Sequence, residues 1–224
     1  MAFPYRDRRD AGRQLAAELQ EYSGRNDLLI LALPRGGVPV AYEVAQMLEA
    51  PLDLLLVRKL GFPGHEELAM GAIASGGVRV LNDRLVEQLS ISPEIIDEAA
   101  EREAMELRRR EQAYRGDRPP PDVRGQCVIL IDDGLATGAT MLAAAKAMRQ
   151  HDPASVIVAV PVAPPEAIRE FEAYPEVERV VCPQAPAMFG GVGRWYQDFS
   201  QTSDAEVREL LARAWSREQH SAAG

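Results

Sequence analysis

The sequence predicts an α/β fold: a doubly wound, mainly parallel sheet flanked by helices. Three observations carry that expectation. Short, uninterrupted apolar runs recur at 28–33 (LLILAL), 52–57 (LDLLLV), 126–132 (QCVILID) and 155–162 (SVIVAVPV), as in strands buried on both faces. Helical spacing fills the intervals between most of them, in the strand–loop–helix–strand order of a βαβ unit. Loops rich in small or charged residues follow three strands, at 34–37, 58–67 and 132–140, and an open parallel sheet binds its ligands at such carboxyl ends.

Taken in order, residues 8–22 present Ala11, Leu15, Leu19 and Tyr22 on one helical face, and Gly24 with Asn26 ends the helix. LLILAL is the first strand, PRGG its loop, 38–48 the next helix and LDLLLV the second strand. Residues 58–77 hold five glycines. Their first part is expected to be a long mobile loop, followed by strands at 69–74 and 78–82. Ser92-Pro93-Glu94 opens a helix over 93–115, with a cap residue, a proline at the first helical position and an acid next. Its apolar stripe is Ile96, Ala100, Ala104, Leu107 and Tyr114, and Glu106 with Arg110 is a helical i,i+4 pair. Further helices are expected at 137–150, 165–173 and 204–217, with strands at 155–162 and 177–182. Trp215 reads as packing, and His151 and His220 belong to no motif.

Composition narrows the function. The chain has 224 residues, 46% of them hydrophobic, enough for one sizeable core. Asp plus Glu number 34 against 25 Lys plus Arg, for a net charge of −9. That argues against a general nucleic-acid binder, whose affinity comes from neutralising phosphates, but not against a local basic pocket. MAFPYRDRRDAG lacks the apolar stretch of a secretory signal, and no run approaches the roughly 20 apolar residues of a membrane span. Cys127 and Cys182 lie in or beside apolar runs and read as buried free thiols in a cytoplasmic protein. No cysteine–histidine cluster suggests zinc. GxSxG and GxxxxGK[ST] are missing, and no GxGxxG follows a strand, which argues against an α/β-hydrolase, a P-loop hydrolase and a dinucleotide reductase.

The chemistry concentrates in VILIDDGLATGAT, 128–140. Asp132 and Asp133 lie where a strand leaves the core. Adjacent carboxylates repel each other and need hydroxyls, a metal or a base as partner. Being acceptors only, they suit vicinal sugar hydroxyls. The small residues that follow let backbone N–H groups approach an anion at a helix N-terminus, and Thr137 and Thr140 add hydroxyl donors. Hydroxyl acceptors followed by a phosphate cradle describe a site for a ribose 5-phosphate.

VILIDDGLATGAT resembles the phosphoribosyl-pyrophosphate (PRPP) signature of the type I phosphoribosyltransferases, and the agreement in chain order covers roughly 25–200. The resemblance implies that Asp132 and Asp133 hold the ribose hydroxyls. It implies that Ala136, Thr137, Gly138, Ala139 and Thr140 hold the 5-phosphate. LPRGG, 33–37, resembles the family's pyrophosphate loop, often with a non-proline cis peptide, here Pro34–Arg35. Arg35, Gly36 and Gly37 would bind pyrophosphate, joined by Arg58 and Lys59 after the second strand. The mobile loop would close over the site, with His65, Glu66 and Glu67 able to reach in. A hood over 183–201 would bind the acceptor, with Phe189, Trp195 and Tyr196 available to stack on a flat ring and Asp198 to read its edge. Two departures stand out. Gly134 replaces the family's usual aliphatic residue, and Ala136 stands where 6-oxopurine enzymes carry an aspartate thought to act on the base.

The resemblance further implies one domain over 1–224, with a loop and helical insertion at 58–125. It implies Mg2+ as cofactor, bound indirectly at Asp132 and Asp133 through PRPP hydroxyls or water. The expected reaction moves ribose 5-phosphate from PRPP to a small nitrogen acceptor, a purine-like base being the first candidate, with release of pyrophosphate. No residue stands out as general acid or base, so catalysis would be positioning and electrostatics. The family is often dimeric, so a homo-oligomer is expected. The alternative is a sensor of PRPP or nucleotide on the same fold.

Overall fold

The computed structural model describes residues 3–222, apart from the side chains of residues 66, 67 and 220–222. Five strands form a parallel sheet in the order β2–β1–β6–β7–β8: β1 Leu28–Ala32, β2 Leu52–Leu54, β6 Cys127–Ile131, β7 Ser155–Ala159 and β8 Arg179–Val181. Every residue of β1, β6 and β7 is buried, which is why these segments read as unbroken apolar runs. Alternation assigns their side chains to two cores. Leu28, Ile30, Cys127, Ile129 and Ile131 pack with α1 (Arg8–Glu18), α2 (Gly37–Leu48) and α7 (Asp204–Ala222). Leu29, Leu31, Val128 and Leu130 pack with α5 (Ala139–Arg149) and α6 (Pro165–Glu172). The sheet is doubly wound, as expected.

The first part of 58–77, expected to be a long loop, is instead a hairpin in a second sheet that also contains the strands expected at 69–74 and 78–82. β3 (Val57–Phe62), β4 (His65–Ala74) and β5 (Arg79–Leu81) pair antiparallel. Phe62 pairs with His65 across Pro63-Gly64, and Gly64 has φ +80. Proline then glycine at the two centre positions is the chemistry of a type II turn, which requires a positive φ at the second. The charges and glycines of 58–67 obscured this hairpin signal. The strand expected over 52–57 is correspondingly split: β2 stops at Leu54, and the chain enters the second sheet at Val57. Leu60, Met70 and Ile73 are buried with Ile96, Ala99, Ala100 and Leu107 of α4 (Pro93–Arg115). Ser92 occupies the cap position of α4, but its side chain makes no capping bond. A short helix, α3 (Asp83–Gln88), was not foreseen; Asn82 caps it by accepting from Leu85 N–H at 3.2 Å.

The edge strand β2 is covered by side chains. The indole N–H of Trp215 donates to Leu52 O at 2.9 Å, and Leu52 N–H donates to Glu218 Oε1 at 3.1 Å. Arg115 donates to Asp53 Oδ1 at 2.7 Å and to Leu54 O at 2.6 Å. No helix among the described residues is long and apolar enough to cross a membrane.

Candidate active site

From β1 the chain turns to β2 on one side, while β6, β7 and β8 add on the other. The topological switch point therefore falls between β1 and β6. Ala32 is in register with Ile131, and Leu33 N–H donates to Ile131 O at 2.8 Å. The loops 33–37 and 132–140 thus leave neighbouring strand ends, the position at which such sheets bind ligands.

Asp133 N–H donates to Asp132 Oδ1 at 2.8 Å. Arg8, on α1, donates from Nε to Asp133 Oδ2 at 2.8 Å and from Nη1 to Ser200 O at 2.6 Å, with its guanidinium 4.1 Å from the centroid of the Phe199 ring. The Tyr196 hydroxyl donates to the carbonyl of Asp133 at 2.5 Å. Burial, and then the charge of Asp133, pushes the carboxyl of Asp132 well above the usual range. Burial raises Asp133 as well, and the Arg8 guanidinium opposes that shift. Two carboxylates whose ionisation is disfavoured where they stand are poised for a cation or hydroxyl donors.

The LPRGG loop lies directly against this pair, and the Pro34–Arg35 peptide is cis. A Cβ on Gly36 would collide with Asp133 Oδ2, and one on Gly37 would come within 2.6 Å of Ile131 O and 2.9 Å of the Asp132 Cα. Close approach, rather than unusual φ, explains the paired glycines: Gly36 has φ −61. Gly36 also starts α2, and Gly138, at φ +70, starts α5; neither helix has a side-chain cap. By contrast Asp7 caps α1 by accepting from Asp10 N–H at 2.8 Å. Uncapped helices present their first N–H groups to a ligand. Ala136, Thr137, Ala139 and Thr140 are exposed at the mouth of α5.

Arg35 and Arg58 line one crevice of about 40 Å³, together with Arg110 and Tyr114 from α4 and Thr140 from the 132–140 loop. Each arginine is held by an acid: Arg35 by Asp204 at 3.7 Å, Arg58 by Glu103 at 2.7 Å and Arg110 by Glu106 at 2.8 Å. The Tyr114 hydroxyl donates to Asp204 at 2.6 Å, and burial helps push its pKa to about 12. Lys59 does not line this crevice. Neighbours on a strand point to opposite faces, and Lys59 lines a separate cavity on the α5 side. His65 is exposed at the hairpin tip, and the side chains of Glu66 and Glu67 lie outside those described.

The hood packs on α1. Tyr196 is buried with Tyr5, and Trp195 donates its indole N–H to Phe189 O at 2.9 Å. Trp195 lines an outer groove with Phe3 and Met188, and the carboxylate of Asp198 accepts from Ser200 N–H at 2.9 Å. The Trp195 indole N–H and the Tyr196 hydroxyl are engaged within the hood or against the Asp133 backbone, while the carboxylate of Asp198 stays exposed. Gly134 is explained by the same contact surface: a Cβ there would lie 2.5 Å from Val192 Cγ1. Val192 brings an aliphatic side chain to Gly134 from another part of the chain.

The family model for the phosphoribosyl transferase domain matches residues 6–184. The chain belongs to that family. Two Mycobacterium tuberculosis relatives, from strains CDC 1551 and H37Rv, are provisionally named phosphoribosyl transferases. Each is 47% identical over 208 residues, 93% of this chain and 46% of the relative. The chain spans about half the length of these curated relatives. The crystal structure of TT1426 from Thermus thermophilus has a TM-score of 0.83 at 42% identity, covering 95% of this chain and 99% of that one.

For this phosphoribosyl transferase domain, sequence reasoning missed three contributors: Arg8, Arg110 and Val192. Arg8 is 125 positions from Asp133, beyond any local pattern. Arg110 was seen only as a partner of Glu106. Val192 could be inferred only from the gap at Gly134.

Proposed function

We propose that the protein transfers the 5-phosphoribosyl group of PRPP to a nitrogen acceptor and releases pyrophosphate. One observation carries this reading: the Asp132–Asp133 pair, the LPRGG loop and the uncapped start of α5 meet at one switch point. The diacid would hold the ribose hydroxyls, the 136–140 loop the 5-phosphate, and Arg35 with Arg58 the leaving pyrophosphate. As the bond from C1 to the diphosphate oxygen breaks, negative charge grows in the arginine-lined crevice, where fixed cations stabilise it. Positive charge on the ribose ring grows beside the two carboxylates, and the acceptor nitrogen bonds to C1 and gives up its proton to solvent.

Two carboxylates of disfavoured charge fit a magnesium ion that completes its shell with ligand oxygens and water. Bound there, it would neutralise charge on the departing diphosphate. The engaged polar atoms of Trp195 and Tyr196 favour a scaffolding role for these two residues, with the exposed carboxylate of Asp198 left to meet the acceptor. The test is calorimetric titration of PRPP with Mg2+, then a pyrophosphate-release screen over purines, pyrimidines and small amines. Binding with acceptor-dependent release is expected. Failure to bind PRPP would refute the reading, and binding without release would leave a sensor.

A further inference from the structure

Lys59 and Lys146 are the chain's only lysines, against twenty-three arginines, and both line the same cavity of about 440 Å³. It lies between α5 and the antiparallel sheet. Arg84 at the start of α3 is a third cation in its lining, and Asp83 is the single acid. No ion pair is formed by Lys59, Lys146 or Arg84 among the described residues, whereas Arg35, Arg58 and Arg110 are all paired. Apolar side chains make most of the wall, among them Val57, Val80, Leu142 and Tyr174.

Unpaired cations within low-dielectric walls focus a positive potential, even on a chain of net charge −9. An ammonium is a compact charge on a flexible stem, suited to an anion arriving from several directions. We infer that this cavity is a second ligand site, distinct from the diacid site, for an amphipathic anion: a carboxylate or phosphate monoester on an aromatic or branched apolar body. The volume suits a ligand of one or two rings. Thr140 lines both this cavity and the arginine crevice, so its occupant lies next to the phosphate loop. The ligand is either the transfer acceptor or an effector, and the chemistry of recognition is the same for both.

Calorimetry with phenyl phosphate, and with inorganic phosphate as the headgroup alone, tests this. Titrations without PRPP read the cavity through its two lysines, which do not line the arginine crevice, so failure of the transferase reading does not affect them. Phenyl phosphate should bind a lysine-dependent site at least tenfold more tightly than inorganic phosphate. Lys59→Gln and Lys146→Gln should each weaken it at least fivefold, while Asp132→Asn leaves it unchanged. Equal affinity for the two probes, or no loss in either lysine variant, overturns the site. The titration is then repeated with saturating PRPP and Mg2+. Changed affinity shows coupling to the PRPP site from either source; competition with the acceptor in the pyrophosphate-release assay then supports the site as the acceptor's, and a changed release rate without competition supports it as an effector's. Displacement by PRPP, with a matching loss of PRPP affinity in Lys146→Gln, overturns a second site and makes the cavity part of the first.

Discussion

Arg8 Nε lies 2.8 Å from Asp133 Oδ2, with both side chains largely withdrawn from solvent at 12% and 16% exposure. The first helix therefore supplies the cation that holds the acidic pair together. Without it, both carboxyls would favour the proton more strongly in the folded state than in the unfolded one. Stability would then fall more steeply as pH rises above the ordinary carboxylate value. Arg8→Ala should cost roughly 2 kcal/mol at pH 7, less than for a fully buried pair, with the loss shrinking towards pH 4. Thermal melts across that range check this. A loss independent of pH would assign Arg8 to packing on Phe199 instead.

Asp132→Asn should separate stability from binding. A carboxyl whose native pKa is raised destabilises the folded state above that pKa, and the penalty disappears below its unfolded value. The variant should therefore melt higher at neutral pH, by roughly 1 kcal/mol, a common gain when a functional group under tension is removed. The gain should fade in acid. PRPP affinity should fall at least tenfold, about 1.4 kcal/mol. Unchanged affinity measured by calorimetry would remove the ribose role.

The two glycines of the LPRGG loop should fail differently. Gly36→Ala pushes against the side chain of Asp133, which can move, so the fold should survive while PRPP binding drops. Gly37→Ala meets the backbone of Ile131 and Asp132, which cannot. It should destabilise the protein by roughly 1–3 kcal/mol, as overpacking does. Denaturation midpoints and PRPP titrations of both variants make the comparison.

Gly134→Ala should displace the hood by clashing with Val192, and Val192→Ala should relieve it. The double variant is expected to be more stable than the sum of the single changes, by roughly 0.5–3 kcal/mol of coupling. Additive effects in a double-mutant cycle would mean that the two residues do not meet.

The parallel sheet was legible because its strands are buried on both faces, and the 93–115 helix because proline and glycine mark its ends. The hairpin around Pro63-Gly64 was not. Its 58–69 part interleaves charges and glycines, and Leu60 is the one buried residue among the side chains described there, so composition outweighed the turn signal. At the site, the diacid and the small-residue loop stand in one unbroken stretch, so their proximity was legible locally. Reading Arg58 and Lys59 as one cationic pair ignored strand alternation, which sends them to different cavities. Arg8 reaches Asp133 only through tertiary packing, which leaves no periodicity to detect.

The covering of β2 bears on how the chain is made. Leu52 is made well before Trp215 and Glu218, which satisfy its backbone groups from 163 and 166 positions further along the chain. Until then the nascent protein carries a bare strand margin of the kind that recruits other chains. A ribosome stalled shortly before residue 215 would release a product whose sheet is nearly complete yet open to aggregation. Helix α7 thus acts as the closure that makes the earlier folding of the sheet safe.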